Sequence, residues 1–194
     1  MDLRDKIYLI GFSATGKSHS GRLAAQSLDA DFVDMDRLIV TRVGKEISEI
    51  FADEGEEAFR RIERDLLKEI SEKPGRRVIS TGGGVPVDQQ NREMMSAHGL
   101  TIRLTASAET IHERINRPFA RRNRRQIAVR PMLAGSDSDG TTVDRVRELL
   151  EEREVAYSSA EDVSIDTEGR EPKDVAAEIV ALIRSNKEKS EAKA

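Results

Sequence analysis

The sequence predicts a three-layer α/β/α domain built on a five-stranded parallel sheet. Three observations predict it. Short apolar runs alternate with helix-period segments along most of the chain. A Gly-x-x-x-x-Gly-Lys-Ser motif sits between the first such run and the first helical segment. Gly11, Asp34 and Gly82 all fall at or just after strand ends, and ligands of open parallel sheets collect at the carboxyl ends of strands.

The elements follow in order. Residues 7–10 form a short apolar run that reads as a buried parallel strand ended by Gly11. Residues 21–28 look helical, and 31–34 is a second short strand ending in acid. Residues 46–70 carry Ile47, Ile50, Phe51, Phe59, Ile62, Leu66, Leu67 and Ile70 at helical spacing, as two helices broken near Gly55. Residues 77–80 are a third strand running into Gly82-Gly83-Gly84. A helix at 89–97, a strand at 100–104 and a helix at 108–115 follow. Residues 143–157 form a helix with Val143, Val146, Leu150 and Tyr157 on one stripe, which Arg153 interrupts at the same spacing. A weak strand at 162–166 precedes a last amphipathic helix opened by Pro172. There is no internal repeat. We read one domain over 1–186 and a disordered, Lys/Glu/Ser/Ala-rich tail over 187–194.

Composition narrows the function classes. The 194 residues carry a formal net charge of −4, which argues against a polycation for nucleic acid or membrane. The 4% aromatic content argues against a base-stacking platform. With no cysteine, disulfides, thiolate catalysis and cysteine metal sites are excluded. No apolar stretch approaches the ~20 residues of a membrane span, and no apolar signal region precedes residue 7. A soluble, cytoplasmic, monomeric protein is expected.

The motif at residues 11–18 carries the first chemistry. Small residues let backbone N–H groups curl around phosphate oxygens, and the helix N-terminus adds partial positive charge. Ala14, Thr15, Gly16, Lys17, Ser18 and His19 are the candidate ATP contacts. Lys17 would bridge the β- and γ-phosphates, and the Ser18 hydroxyl would hold Mg²⁺, the expected cofactor. Asp34 could hold the same ion through water. Asp36, two residues on, could orient a substrate hydroxyl and accept its proton, or could cap the helix that follows.

Arg60 and Glu63 share one helix face, either as an ordinary surface pair or as a pair that orients Arg60 to grip a carboxylate. Arg153 reads by default as part of a solvated face, except that the stripe would point it inward. Three successive glycines cost backbone entropy and permit close approach of a ligand to main-chain N–H groups; they also suit a tight turn. Ile47, Phe51, Phe59 and Pro131 are apolar walls or core. Residues 117–130, RPFARRNRRQIAVR, lack periodicity. The generic reading is a nucleic-acid patch; the better one is a mobile lid over about 115–140 that brings positive charge to the moving phosphate and excludes water.

Taken in order, the phosphate motif, Asp34-Met-Asp36, Phe59-Arg-Arg-Ile-Glu63, Gly82-Gly83-Gly84, Arg130-Pro131 and Arg153 ahead of Tyr157 resemble the shikimate kinase family over roughly residues 7–183. The resemblance implies the P-loop kinase fold with a mobile lid and transfer of the ATP γ-phosphate to the 3-hydroxyl of shikimate. It implies that Arg60 and Arg153 bind the shikimate carboxylate, that Gly83 contacts its hydroxyls, and that Arg130 stabilises charge on the phosphate. Arg170, in a loop similar to the family's adenine-contacting loop, would sit near the nucleotide; a plain turn fits it too. Ala14 stands where the family usually has glycine, tolerable if its φ is negative. His19 stands where threonine is usual and reads as packing. Another small-metabolite kinase of the same fold, acting on a gluconate-like acceptor, is the alternative; a nucleic-acid-binding P-loop protein is the more distant one.

Overall fold

The computed structural model describes residues 5–117 and 142–191. The lid segment from 118 on, with Arg130 and Pro131, lies outside them. The strands are β1 (Lys6–Ile10), β2 (Asp31–Asp34), β3 (Arg77–Ser80), β4 (Gly99–Thr105) and β5 (Val163–Asp166). They form one sheet in the order β2-β3-β1-β4-β5, with every pairing parallel. The helices are α1 (Lys17–Ser27), α2 (Met35–Val43), α3 (Ile47–Glu72), α4 (Gln89–His98), α5 (Ala108–Asn116), α6 (Val143–Ala160) and α7 (Pro172–Glu191).

A parallel sheet needs cover on both faces, so its strands read as continuous apolar runs. Side chains alternate across each strand. Ile7, Leu9, Val78, Ile102, Leu104 and Ile165 pack on one face against α1 and α7. Tyr8, Ile10 and Ile79 pack on the other, with Met35, Ile39, Leu67, Met95 and Tyr157 from the opposite helices. A smaller cluster of Phe12, Ala108, Ile111, Ile115, Val146 and Leu149 joins the loop after β1 to α5 and α6.

Three elements differ from the sequence reading. Helix α1 begins at Lys17 rather than at 21, because Lys17 and Ser18 themselves form its first turn. Helix α2 is additional. Its Ile39, Val40, Thr41 and Val43 are β-branched and weaken the helical signal, but the Asp34 side chain caps one end and Gly44 the other at φ +74°. Helix α7 runs to Glu191, through most of the stretch read as a disordered tail. The break near Gly55 is present: its φ of 83° and ψ of 172° interrupt α3, which a Glu46/Glu49 capping box opens.

Candidate active site

The loop after β1 reaches the sheet edge at Gly11, whose φ is +133° and whose hydrogen faces the Leu104 carbonyl so closely that a side chain would collide with it. The loop is braced from within. Lys17 Nζ donates to the carbonyls of Gly11 and Phe12, each at 2.7 Å, and Thr15 Oγ1 donates to Phe12 O at 2.8 Å. Gly16 then starts α1 at φ +97°. The outcome is a nest of main-chain N–H groups at a helix N-terminus, a geometry suited to phosphate oxygens.

On the α1 face of the sheet, Ser18 Oγ lies 3.2 Å from Ser80 Oγ. Asp34 is the register partner of Ser80 on β2. Ser18, Ser80 and Asp34 are therefore neighbours at one strand edge. Asp34 also accepts from Arg37 N at 3.2 Å and so caps α2. The cap considered for Asp36 belongs to Asp34, and Asp36 lies in the first turn of that helix.

The glycine loop after β3 gathers the remaining groups. A Cβ built on Gly82 would lie 2.6 Å from Glu63 Oε1 and 2.9 Å from Asp36 Oδ1. One built on Gly84 would lie 2.6 Å from Arg60 Nη2. One built on Gly83 would lie 3.6 Å from Gly11 O, 3.7 Å from Ser13 N and 3.9 Å from Arg153 Nη1. Gly82 and Gly84 thus leave room for the Glu63, Asp36 and Arg60 side chains, whereas the space around Gly83 is ordinary van der Waals space. Asp36, Arg60, Gly83 and Arg153, read separately from the sequence, meet beside the loop that Lys17 braces.

Glu63 is the electrostatic centre of this group. It is 1% exposed and accepts from Arg60 Nη1 at 2.7 Å. That excludes the reading of Arg60–Glu63 as an ordinary surface pair. Burial pushes the Glu63 carboxyl up to about 7, the Arg60 guanidinium works against that, and Asp36 reinforces it. The Arg153 guanidinium sits over the Phe12 ring at 5.5 Å and so spans from α6 to the phosphate loop. Ile47 and Phe59 are buried in the core, with the Phe51 and Phe59 rings 4.8 Å apart; they are core first.

Residues 13–184 match the family model described as shikimate kinase. The chain belongs to the shikimate kinase family. The shikimate kinase of Thermodesulfovibrio yellowstonii is 41% identical over 174 residues, covering 90% of this chain and 92% of its own. That of Acinetobacter baumannii, solved in complex with shikimate, superimposes with a TM-score of 0.82 at 31% identity, covering 94% of each chain. A gluconokinase from Sinorhizobium meliloti, at 15% identity and a TM-score of 0.62, shares the fold alone.

Against the pattern of the shikimate kinases, two substitutions stand out. Ala14 has φ +63°, in the left-handed region, so the condition on which the sequence reading made it tolerable, a negative φ, is not met. The loop has to turn there whatever the side chain, and the Ala14 methyl packs on the cluster formed with α5 and α6. His19, read as packing, is exposed on α1.

Two arginines at loops near the crevice have defined partners. Arg170 bonds to Asp166 O at 3.0 Å and pairs with Glu178 of α7 at 2.6 Å, which fits the plain-turn reading. Arg114, which the sequence reading assigned no role, bridges the phosphate loop and the loop after β5. Its Nη1 donates to Ala14 O at 3.4 Å and Thr167 Oγ1 at 3.0 Å, and its Nη2 to Thr167 O at 2.6 Å. Its place at the end of an amphipathic helix, just before the segment read from the sequence as a lid, was the available signal. Ser80 was missed because a lone serine at a strand end carries no motif.

Proposed function

We propose that the chain transfers the γ-phosphate of ATP to the 3-hydroxyl of shikimate in the crevice between the phosphate loop and the glycine loop. One observation carries this reading. The Gly83 position lies between the two: a Cβ placed there would stand 3.7 Å from Ser13 N on the nucleotide side and 3.9 Å from Arg153 Nη1 on the acceptor side. A donor phosphate and an alcohol held at those two surfaces would be neighbours, and phosphoryl transfer depends chiefly on such positioning.

The roles follow from the chemistry. Loop N–H groups from 14 to 19 and Lys17 bind the β- and γ-phosphates, so Lys17 exchanges its carbonyl partners for phosphate oxygens. Arg60 and Arg153 hold the substrate carboxylate, Arg60 in an orientation fixed by Glu63. Main-chain groups at Gly83 hold the ring hydroxyls. Asp36 accepts the proton of the attacking hydroxyl as its oxygen bonds to phosphorus and the bond to the ADP oxygen breaks. Arg130, which lies outside the described residues, neutralises charge on the transferred group.

A Mg²⁺ ion fits the donor set. The Ser18 hydroxyl and the Asp34 carboxylate lie at one edge, the first suited to direct and the second to water-mediated contact. Among the described residues no three His, Asp or Glu side chains cluster for a metal, so the ion's other ligands would be phosphate oxygens and water. When bound, it neutralises charge on the β- and γ-phosphates. Arg114 and Thr167 border the nucleotide end. No helix among the described residues is long and apolar enough to cross a membrane.

A coupled ADP-release assay tests the proposal. Purified protein with Mg²⁺ and ATP should form ADP on addition of shikimate, and much faster than with gluconate or other hydroxy acids. No response to shikimate would refute the substrate assignment.

A further inference from the structure

Tyr157 is wholly buried, yet its hydroxyl faces the crevice wall. It donates to the Gly83 carbonyl at 2.7 Å. A phenol has one proton to give and lone pairs to receive. With the proton committed to Gly83, the oxygen receives a hydrogen bond from Arg153, one helical turn earlier on α6. The ring is fixed in turn. Arg103 lies over its face at 5.1 Å and is itself bonded to Glu154 at 2.9 and 2.5 Å.

We propose that Tyr157 is a positioning residue, whose hydroxyl ties the acceptor-side arginine Arg153 to the main chain of the glycine loop at Gly83. This rests on the acceptor roles given above to Arg153 and Gly83. The physical need is specific. A run of three glycines has more freedom to lose than any other tripeptide. Its flanks are tied: Thr81 N donates to Leu9 O at 3.1 Å, and Asn91 Nδ2 to Val85 O at 3.0 Å. Tyr157 supplies a tie at the centre, and the same atom aims a long arginine side chain at the same spot. The carboxylate grip and the hydroxyl grip are thereby held in one fixed separation, matched to one rigid ring.

Tyr157→Phe keeps the buried ring and removes only the hydroxyl. Calorimetry with shikimate and, separately, with ADP reads the effect. Shikimate should bind about 10-fold more weakly, ADP within about twofold of wild type, and the melting temperature should change little. A cycle with Arg153→Lys should be non-additive, because the two residues act as one unit. Equal shikimate affinity in Tyr157→Phe and wild type overturns the inference, as does a parallel loss of both ligands, which would mark a general loosening. Absence of shikimate binding by the wild-type protein overturns the substrate assignment itself, and the inference with it.

Discussion

The Arg60 guanidinium donates to the Glu63 carboxylate at 2.7 Å, and that carboxylate is buried beneath the glycine loop. Asp36 and Arg153 are the other charged groups felt there. Because burial dominates, Glu63 titrates near 7 in the folded chain instead of at its ordinary 4.5. The sign is fixed by which state gives up its proton first. Below about 4.5 both states are protonated. Between about 4.5 and 7 the unfolded chain ionises while the folded chain holds its proton, so stability falls as pH rises. Glu63→Gln has no such slope. Urea denaturation at several pH values should show wild type losing on the order of 3 kcal/mol relative to Glu63→Gln across that window, one pK unit being about 1.4 kcal/mol. A constant difference would mean that Arg60 keeps the carboxylate ionised throughout.

The glycine loop allows a separate test of the Arg60 position. A methyl at residue 84 would press on the Arg60 guanidinium, which is the far end of a flexible side chain. Moving it costs little folding energy but displaces the carboxylate grip. Gly84→Ala should therefore fold with a loss of no more than about 1 kcal/mol. Its KM for shikimate should rise about 10-fold or more, roughly what losing one charge-assisted hydrogen bond costs. Steady-state kinetics at saturating ATP measure this. An unchanged KM would separate Arg60 from the acceptor.

These contacts show what a sequence can and cannot disclose. Strand ends were legible because short apolar stretches, residues 7–10, 32–33 and 78–79, run into Gly11, Asp34 and Gly82. That alone was enough to bring Asp36, Gly83 and the phosphate loop to one edge. Arg60 and Glu63 were legible as a pair but not as a buried one, since depth depends on where α3 lies over β3. The division of labour between Asp34 and Asp36 was hidden because both positions suit a cap, and only the backbone turn decides which carboxylate meets Arg37 N. The partners of Arg114 and Arg170 were not legible for a related reason: a long side chain near a loop can face either of two neighbours, and tertiary partners choose.

Ala14 offers a stability test. A left-handed conformation costs a non-glycine residue roughly 1–2 kcal/mol, whereas glycine costs roughly 0.5–1 kcal/mol in extra unfolded-state freedom. The methyl contact with the α5 and α6 cluster offsets part of the difference. Ala14→Gly should therefore be neutral to slightly stabilising, by up to about 1 kcal/mol. Thermal denaturation should show an unchanged or higher midpoint. A loss above about 1 kcal/mol would mean that docking of the loop on that cluster outweighs its backbone strain.

The two aspartates should separate cleanly. Asp34 caps α2 through Arg37 N and neighbours Ser80, so Asp34→Ala should lose about 1 kcal/mol of stability from the cap. Under the water-mediated Mg²⁺ role proposed for Asp34, that variant should also need more Mg²⁺ for half-maximal rate. Asp36 lies in the first turn of α2, near Gly82 and Glu63, with the cap bond made by Asp34. Asp36→Asn therefore leaves the helix intact and removes a proton acceptor. Turnover should fall about 10²–10⁴-fold, the usual worth of a positioned general base. ATP affinity and the melting temperature should stay near wild type, since Lys17 and the phosphate loop are untouched. Equal turnover would remove the proton-accepting role from Asp36, and a matching fall in ATP affinity would move that residue to the nucleotide side of the crevice.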